Sequence, residues 1–299
     1  MAFRTVVISN PAELHARKEQ LEIHQEEVTQ VPLDEIILLF LESPDITFSS
    51  AFLSKVTDYG IVIISCDRKY KPAAISLSYL PHSRQTKMAR TQFAMTKPFQ
   101  KRLWQAIIKS KIANQADVLD FFSKEGAEVL RSYGKEVSSG DSRNREALAA
   151  RYYFPRLFEG HVRDEDNVIN DALNYAYSIV RALVSRSIVA YGFYPPLGIH
   201  HCNEMNNFNL ADDLIEPFRP IIDAYVRAHP PKGKELNRED RHRYVQTAHL
   251  ICRFAGKRMT VASSIDRMTS SLVEAINKSD YSKLSMPQLD GVEVSEDVS

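Results

Sequence analysis

The sequence predicts an α+β fold, with an N-terminal β-sandwich-like domain followed by a larger all-α domain, and three observations predict it. Short β-branched or alternating runs, separated by Pro-containing breaks, fill the first third of the chain. Beyond about residue 96 apolar residues recur at i, i+3 and i+4, the period of helices. After Met286 the chain turns acidic, with Pro and Gly and little apolar content. The expected boundaries are 1–90 for a β-rich domain ending in a basic linker, 91–286 for the helical domain, and 287–299 for a disordered acidic tail.

Taken in order, "RTVVIS" (Arg4–Ser9), "QLEIH" (Gln20–His24), "EIILLFL" (Glu35–Leu41) and "GIVIIS" (Gly60–Ser65) read as strands. Their spacing favours an antiparallel sheet or sandwich. Between the last two, "SSAFLSKVTDYG" carries a Ser N-cap, apolar positions at helical spacing and a terminal Gly, and so reads as one short helix. The polar segment Ser76–Thr91 joins the two halves. "KPFQKRLWQAIIKSKIANQADVLDFF" and "NVINDALNYAYSIVRALVSRSIVAYG" then predict two long helices, with more at Leu210–Ala228, around Asp240–Phe254 and at Ser263–Asn277.

At 299 residues the chain is long enough to bury a core without disulfides or structural metal. Cys66, Cys202 and Cys252 are odd in number, far apart and in no CxxC pair, which speaks against a disulfide framework or a zinc ribbon and for a reducing, intracellular compartment. The longest apolar run, "IILLFL", falls far short of the roughly 20 residues a membrane helix needs, and "MAFRTVVISN" lacks the regions of a signal peptide. Neither membrane insertion nor secretion is expected.

Formal net charge is zero, which by itself argues against a nucleic-acid binder. The distribution is uneven, however. From Arg68 to Ala116 there is no Asp or Glu, while eleven Lys and Arg residues fall in that stretch, among them Arg84, Lys87, Arg90, Lys101, Arg102 and Lys111. Such a stretch has the electrostatics of a surface facing a polyphosphate, or of an ordinary solvated face whose acids come from elsewhere in the fold.

Candidate chemistry crowds "HHCNEMNNFNLADDLIEPFRP", His200–Pro220. Asn209 is a candidate N-cap, and Glu216 can share a helix face with Asp212 or Asp213, so one face would hold two carboxylates whose repulsion a cation would relieve. Acids at a helix start also answer the macrodipole, which is the ordinary reading of Asp212 and Asp213. Pro217 restrains the residue before it and should fix the direction of the Glu216 side chain. His200 and His201 lie one loop upstream, as ligands or as surface residues. A second helix, "DSRNREALAARYYFPRLF" (Asp141–Phe158), would be entered through Ser142 or Asn144 and closed near Pro155, with Glu146 in its first turns.

Together, the "N-R-E-x-x-A-A-R-x-Y-F" helix and, about fifty residues on, "G-x-x-H-x-N-x-x-N-x-F-N-L-A-x-D-L-x-E-P-F-R-P" resemble the CRISPR-associated adaptation integrase, the larger of the two spacer-acquisition proteins, in its type II form. The likeness spans the chain, since "FRTVVISNPAEL", "LLFLESPDITFSSAFLSKV" and "GIVIISCDRKYKPAA" look like that family's N-terminal β-domain. One departure is that many members have a Gly-Arg-x-Ser-Leu segment where this chain has "NNFNL".

The resemblance implies that Glu146, His201 and Glu216 are metal ligands and catalytic, with Asp213 the acid that supports them. His201 rather than His200 fits, three residues after Gly198, and Asp212 becomes a surface or capping residue. Carboxylate and imidazole donors without thiolates suit Mg²⁺ or Mn²⁺. Arg145, Arg151 and Arg219, near the ligands in sequence, are candidates for charge support, and Arg84, Lys87, Arg90, Lys101 and Arg102 for DNA binding. The implied activity is a metal-dependent DNA endonuclease and integrase that inserts short foreign fragments into a CRISPR array through 3′-hydroxyl transesterification. Implied partners are double-stranded fragments, repeat DNA, a second copy of the chain, the small ferredoxin-like adaptation protein in a heterohexamer, and a type II effector nuclease, all in a prokaryotic cytoplasm. The alternatives are a metal-dependent nuclease that does not join, and a non-catalytic DNA scaffold.

Overall fold

The computed structural model describes residues 3–79, 85–159 and 167–295. The chain divides into two compact units, Met1–Ser83 and Arg84–Ser295. In the first, strands β1 (Arg4–Ile8), β2 (Ala12–Arg17), β3 (Gln20–His24), β4 (Val28–Pro32), β5 (Ile36–Leu41) and β6 (Ile46–Phe48) precede helix α1 (Ser50–Asp58) and strands β7 (Val62–Cys66) and β8 (Pro72–Ser76). They form two four-stranded sheets, in the orders β1-β5-β7-β8 and β4-β3-β2-β6. Leu14, Leu21, Leu39, Ile63 and, from α1, Phe52 and Val56 close one core. The Ser49 side chain accepts from Phe52 N at 3.1 Å and starts α1, as its sequence predicts.

The expected antiparallel sheet is corrected in part. β5 runs parallel to both β1 and β7, with Leu38 aligned to Thr5 on one side and Val62 on the other. All six residues of β5 are buried, and a continuous apolar run without alternation is what a strand covered on both faces requires.

The second unit comprises α2 (Gln85–Phe93), α3 (Lys97–Phe121), α4 (Ala127–Glu136), α5 (Arg145–Leu157), α6 (Val168–Ala190), α7 (Asn209–Ile215), α8 (Arg219–Ala228), α9 (Arg238–Val245), β9 (Leu250–Phe254), β10 (Lys257–Thr260), α10 (Val261–Lys278) and β11 (Pro287–Val294). Its core is built on α3 and α6, whose Trp104, Ile107, Ile108, Leu119, Leu173 and Val180 are buried. Among the described residues no helix is long and apolar enough to cross a membrane.

This unit is not all-α. A three-stranded antiparallel sheet in the order β10-β9-β11 takes Leu250–Phe254 out of the expected helix around Asp240–Phe254. Ala255 and Gly256 both adopt positive φ, 48° and 78°, and turn β9 into β10 as a tight hairpin. The expected disordered tail is also corrected over 287–294. Its acids do not solvate that segment; Asp290 pairs with Arg253 at 2.7 Å and Arg258 at 2.5 Å, and Glu293 pairs with Arg258. The expected basic linker likewise gives way to helix over Gln85–Thr91, while Arg84 lies outside the described residues.

Asn114 of α3 fastens β11. Buried at 1% exposure, its amide nitrogen donates to Pro217 O at 2.8 Å and Pro287 O at 3.1 Å, and its oxygen accepts from Leu289 N at 3.2 Å. Asn114→Ala should leave these backbone groups short of partners, and urea unfolding should show a loss of about 2–3 kcal/mol.

Candidate active site

Three segments of the second unit, in α3, at the start of α5 and at the α7–α8 break, converge on one cluster, and a loop that carries two histidines is held to a buried acid of α7. The first carboxylate comes from the start of α5. There Asp141, at φ 48°, accepts from Arg145 N at 2.9 Å and Glu146 N at 3.0 Å. Asn144 is the N-cap residue, one of the two the sequence offers, but its side chain makes no capping bond; Asp141 supplies those bonds and sets Glu146 at the helix entrance. Pro155 lies inside α5, which runs on to Leu157.

The second carboxylate sits at a break. The expected helix Leu210–Ala228 is two helices, α7 and α8, with Glu216, Pro217 and Phe218 between them. Pro217 has no amide to continue the ladder, and Glu216 is turned inward to 5% exposure. Asn209 is the first helical residue rather than the cap. Its side chain instead donates to Pro196 O and Asn203 O, tying down the loop that carries the histidines.

Asp213 holds that loop. Fully buried, it accepts from Ile199 N at 2.5 Å, His200 N at 3.1 Å and His201 N at 3.1 Å, and binds His201 Nδ1 at 2.8 Å. His200 stacks flat on Trp104, with ring centroids 4.2 Å apart, and the His201 ring stands edge-on to the same indole. Asp212 points away and pairs with Arg181 at 2.5 Å.

At the centre stands a residue that the sequence pattern groups with a basic surface. Lys111 of α3, 8% exposed, has its Nζ 2.6 Å from Glu146 Oε1 and 2.5 Å from Glu216 Oε2. The second contact is an ion pair out of hydrogen-bond alignment, since Glu216 Oε2 is buried without a hydrogen-bond donor. Arg219 Nε lies 2.9 Å from Glu216 Oε1, and its guanidinium covers the Tyr177 ring at 4.5 Å. Burial alone would push Lys111 down, but the two carboxylates outweigh it and hold the ammonium above its ordinary value. Burial would likewise raise Glu216, and Lys111, then Arg219, pull it below the usual carboxylate range.

Of the residues singled out from sequence, Glu146, Glu216 and Arg219 meet at Lys111, and Asp213 and His201 form a second pair. Arg145 turns to Glu136 at 2.5 Å, and Arg151 is exposed. Lys87, Arg90, Lys101 and Arg102 are exposed and outside the cluster, with Arg102 over the Tyr281 ring. Lys111 has a signal in the sequence: it falls four after Ile107 and seven after Trp104, on the apolar face of its helix, where an unpaired lysine would be costly. Trp104 and Arg181 carry none.

Among the described residues no group of three His, Cys, Asp or Glu is arranged to hold a metal. The donors nevertheless fit one. Two carboxylates, one from α5 and one from the α7–α8 break, already share a single cation, and the Asp213 contact leaves Nε2 as the His201 nitrogen available to a ligand.

Residues 5–234 match the family profile described as CRISPR associated protein Cas1. The CRISPR-associated endonuclease Cas1 of Neisseria meningitidis is 35% identical, with 97% of each chain covered, and an endonuclease Cas1 of Saccharolobus solfataricus is 28% identical, with 76% of each covered. A casposase bound to integration product shares the fold, with a TM-score of 0.76 at 18% identity, covering 99% of this chain and 97% of that one. So does a Cas1 protein from Thermotoga maritima, at a TM-score of 0.71 and 16% identity, over 98% of this chain and all of the other. The sequence kinship defines an enzyme of the CRISPR-associated endonuclease class. The chain belongs to the Cas1 family of CRISPR-associated proteins.

Two outcomes are expected. A methyl group at Gly198 would run into the His201 carbonyl and the Asp213 carboxylate, so Gly198→Ala should displace the loop and cost about 3 kcal/mol in urea unfolding. Asp213 raises the pKa of His201. The stability this gives is full below the ordinary pKa of about 6.5 and lost as pH rises through the raised value. The melting temperature of His201→Gln should therefore fall further below wild type at pH 6 than at pH 9.

Proposed function

We propose that this chain is a metal-dependent DNA integrase and endonuclease that joins short foreign DNA fragments to the repeat of a CRISPR array, in antiviral defence. The observation that carries the reading is the pair Glu146 and Glu216, drawn from α5 and the α7–α8 break onto one cation position, with His201 held by Asp213. We assign Glu146, His201 and Glu216 as ligands of Mg²⁺ or Mn²⁺, which supplies Lewis acidity at a phosphodiester. Asp213 engages Nδ1 and so presents Nε2. Arg219, fixed on Glu216 and Tyr177, adds a permanent positive charge beside the scissile phosphate.

In the joining step the 3′-oxygen of the fragment bonds to a repeat phosphorus. The bond from that phosphorus to the repeat's own 3′-oxygen breaks, and the attacking hydroxyl's proton passes through solvent to the leaving oxygen. Water in place of the hydroxyl gives hydrolysis. Lys87, Arg90, Lys101 and Arg102, with Arg84, serve the backbone of double-stranded fragments and repeat DNA. The protein works in the prokaryotic cytoplasm as a homodimer through its first unit. The small ferredoxin-like partner joins it in a heterohexamer, supported by a neighbour solved as a Cas6-RT-Cas1–Cas2 complex, and a type II effector nuclease is a further partner.

Glu146→Gln, His201→Asn and Glu216→Gln should each reduce Mn²⁺-dependent strand transfer into a supercoiled, repeat-bearing plasmid by on the order of 100-fold or more. Joining retained at the wild-type rate by all three would remove the site assignment.

A further inference from the structure

The ammonium of Lys111 contacts one oxygen of each of the two carboxylates assigned to the metal, and a divalent ion drawn in by the same oxygens would have to stand where Nζ stands. Magnesium binds oxygen at about 2.0–2.1 Å, closer than the ammonium, so the two cations exclude each other. With Lys111 in place, the charges of Glu146, Glu216, Lys111 and Arg219 cancel. A low-dielectric cluster that is already neutral has less to gain from a further cation than two bare carboxylates would.

Beside this position lies a cavity of about 210 Å³ whose walls include Lys111, Gln115, Tyr177, Glu216, Arg219 and Asp223. Gln115 lies one helical turn beyond Lys111 on α3, on the same face. It is 1% exposed, and its Oε1 is buried without a hydrogen-bond partner. An orphaned buried acceptor is unfavourable and is rare without a reason. A lysine side chain one turn away is a donor long enough to reach it, and Asp223 on the same wall offsets the positive charge of Arg219.

We propose that Lys111 is a tethered cation that fills the metal position until a divalent ion displaces it, and that the adjoining cavity receives the displaced ammonium at Gln115 Oε1. This rests on the metal-site reading above. It makes metal affinity a property of a helix that supplies no metal ligand. It also changes the charge of the site: once the ion is bound and Lys111 remains alongside, the formerly neutral cluster carries two net positive charges, which phosphodiester groups would neutralise.

The test is Mn²⁺ binding to the full chain, followed by the electron paramagnetic resonance signal of free Mn²⁺, together with melting temperatures with and without the ion. Lys111→Met should melt lower than wild type when metal-free, bind Mn²⁺ about tenfold tighter or more, and gain more from Mn²⁺ in melting temperature. Lys111→Arg, which keeps the charge, should stay near wild type. Gln115→Leu should bind Mn²⁺ several-fold more weakly with no loss of metal-free melting temperature, since its amide oxygen has no partner to lose in the metal-free protein. Should Lys111→Met fail to fold, Lys111→Gln carries the same expectation. Affinity in the neutral variant equal to or below wild type would overturn the displacement, and unchanged affinity in Gln115→Leu would overturn the receiving cavity. Glu216→Gln separates the two levels. If it abolishes Mn²⁺ binding while the neutral Lys111 variants fail to tighten it, only the displacement falls; if binding survives Glu216→Gln, the metal-site reading falls and the displacement with it.

Discussion

A carboxylate with no solvent at all must find its donors within the protein, and Asp213 finds them in its own chain. Three consecutive amides, from Ile199 to His201, and the His201 ring converge on its two oxygens. That arrangement fixes the backbone of the histidine loop and the direction of its catalytic candidate at once. Gly198 is where the loop passes too close to admit a side chain, and Asn209 closes the other end on Pro196 and Asn203. His201 is thus placed by α7 rather than by the loop it belongs to.

The remainder of the site follows the same economy of buried charge. Lys111, Glu146, Glu216 and Arg219 neutralise one another, with Lys111 and Glu216 almost out of water, in a place where either of those two alone would be strongly unfavourable. Such a cluster can be held only if its members come from rigid elements. α3, α5 and the α7–α8 break each contribute from a position fixed by other bonds: Asn114 behind the break, Asp141 at the entrance of α5, and the packed face of α3 around Ile107 and Ile108.

Much of this is legible in the amino-acid sequence. The strands at Arg4, Gln20, Ile36 and Val62, helix α1 and the long helices α3 and α6 stand where the periodicity puts them, because each carries enough apolar residues in register to declare its partner face. The short strands β2, β4, β6 and β8 lack such a run, and β2 reads as "AELHAR". β11 is hidden for a different reason. Its acids look like solvated tail until Arg253 and Arg258 are brought beside them by β9 and β10, which is tertiary information. In the site, Glu146, His201, Asp213 and Glu216 are visible through their motif. Charge composition groups Lys111 with a basic surface, since it reports sign and not direction, and only the position of Lys111 on the apolar face of α3 marks it as buried. The flat packing of His200 on Trp104 joins residues ninety-six apart, and no local pattern encodes it.

The three bonds of Asn114 also have a consequence in time. During synthesis α3 leaves the ribosome long before β11, and the domain can assemble its helices around Trp104 and Ile107 while the C-terminal strand is still being made. Until Pro287 and Leu289 emerge, however, Asn114 has only Pro217 to bind, and two of its own three bonds are missing. The support behind the acidic corner is therefore completed late, by a strand that contributes nothing to its chemistry, and a nascent chain stalled before residue 287 would carry every assigned ligand while Asn114, which holds Pro217, lacks two of its three partners.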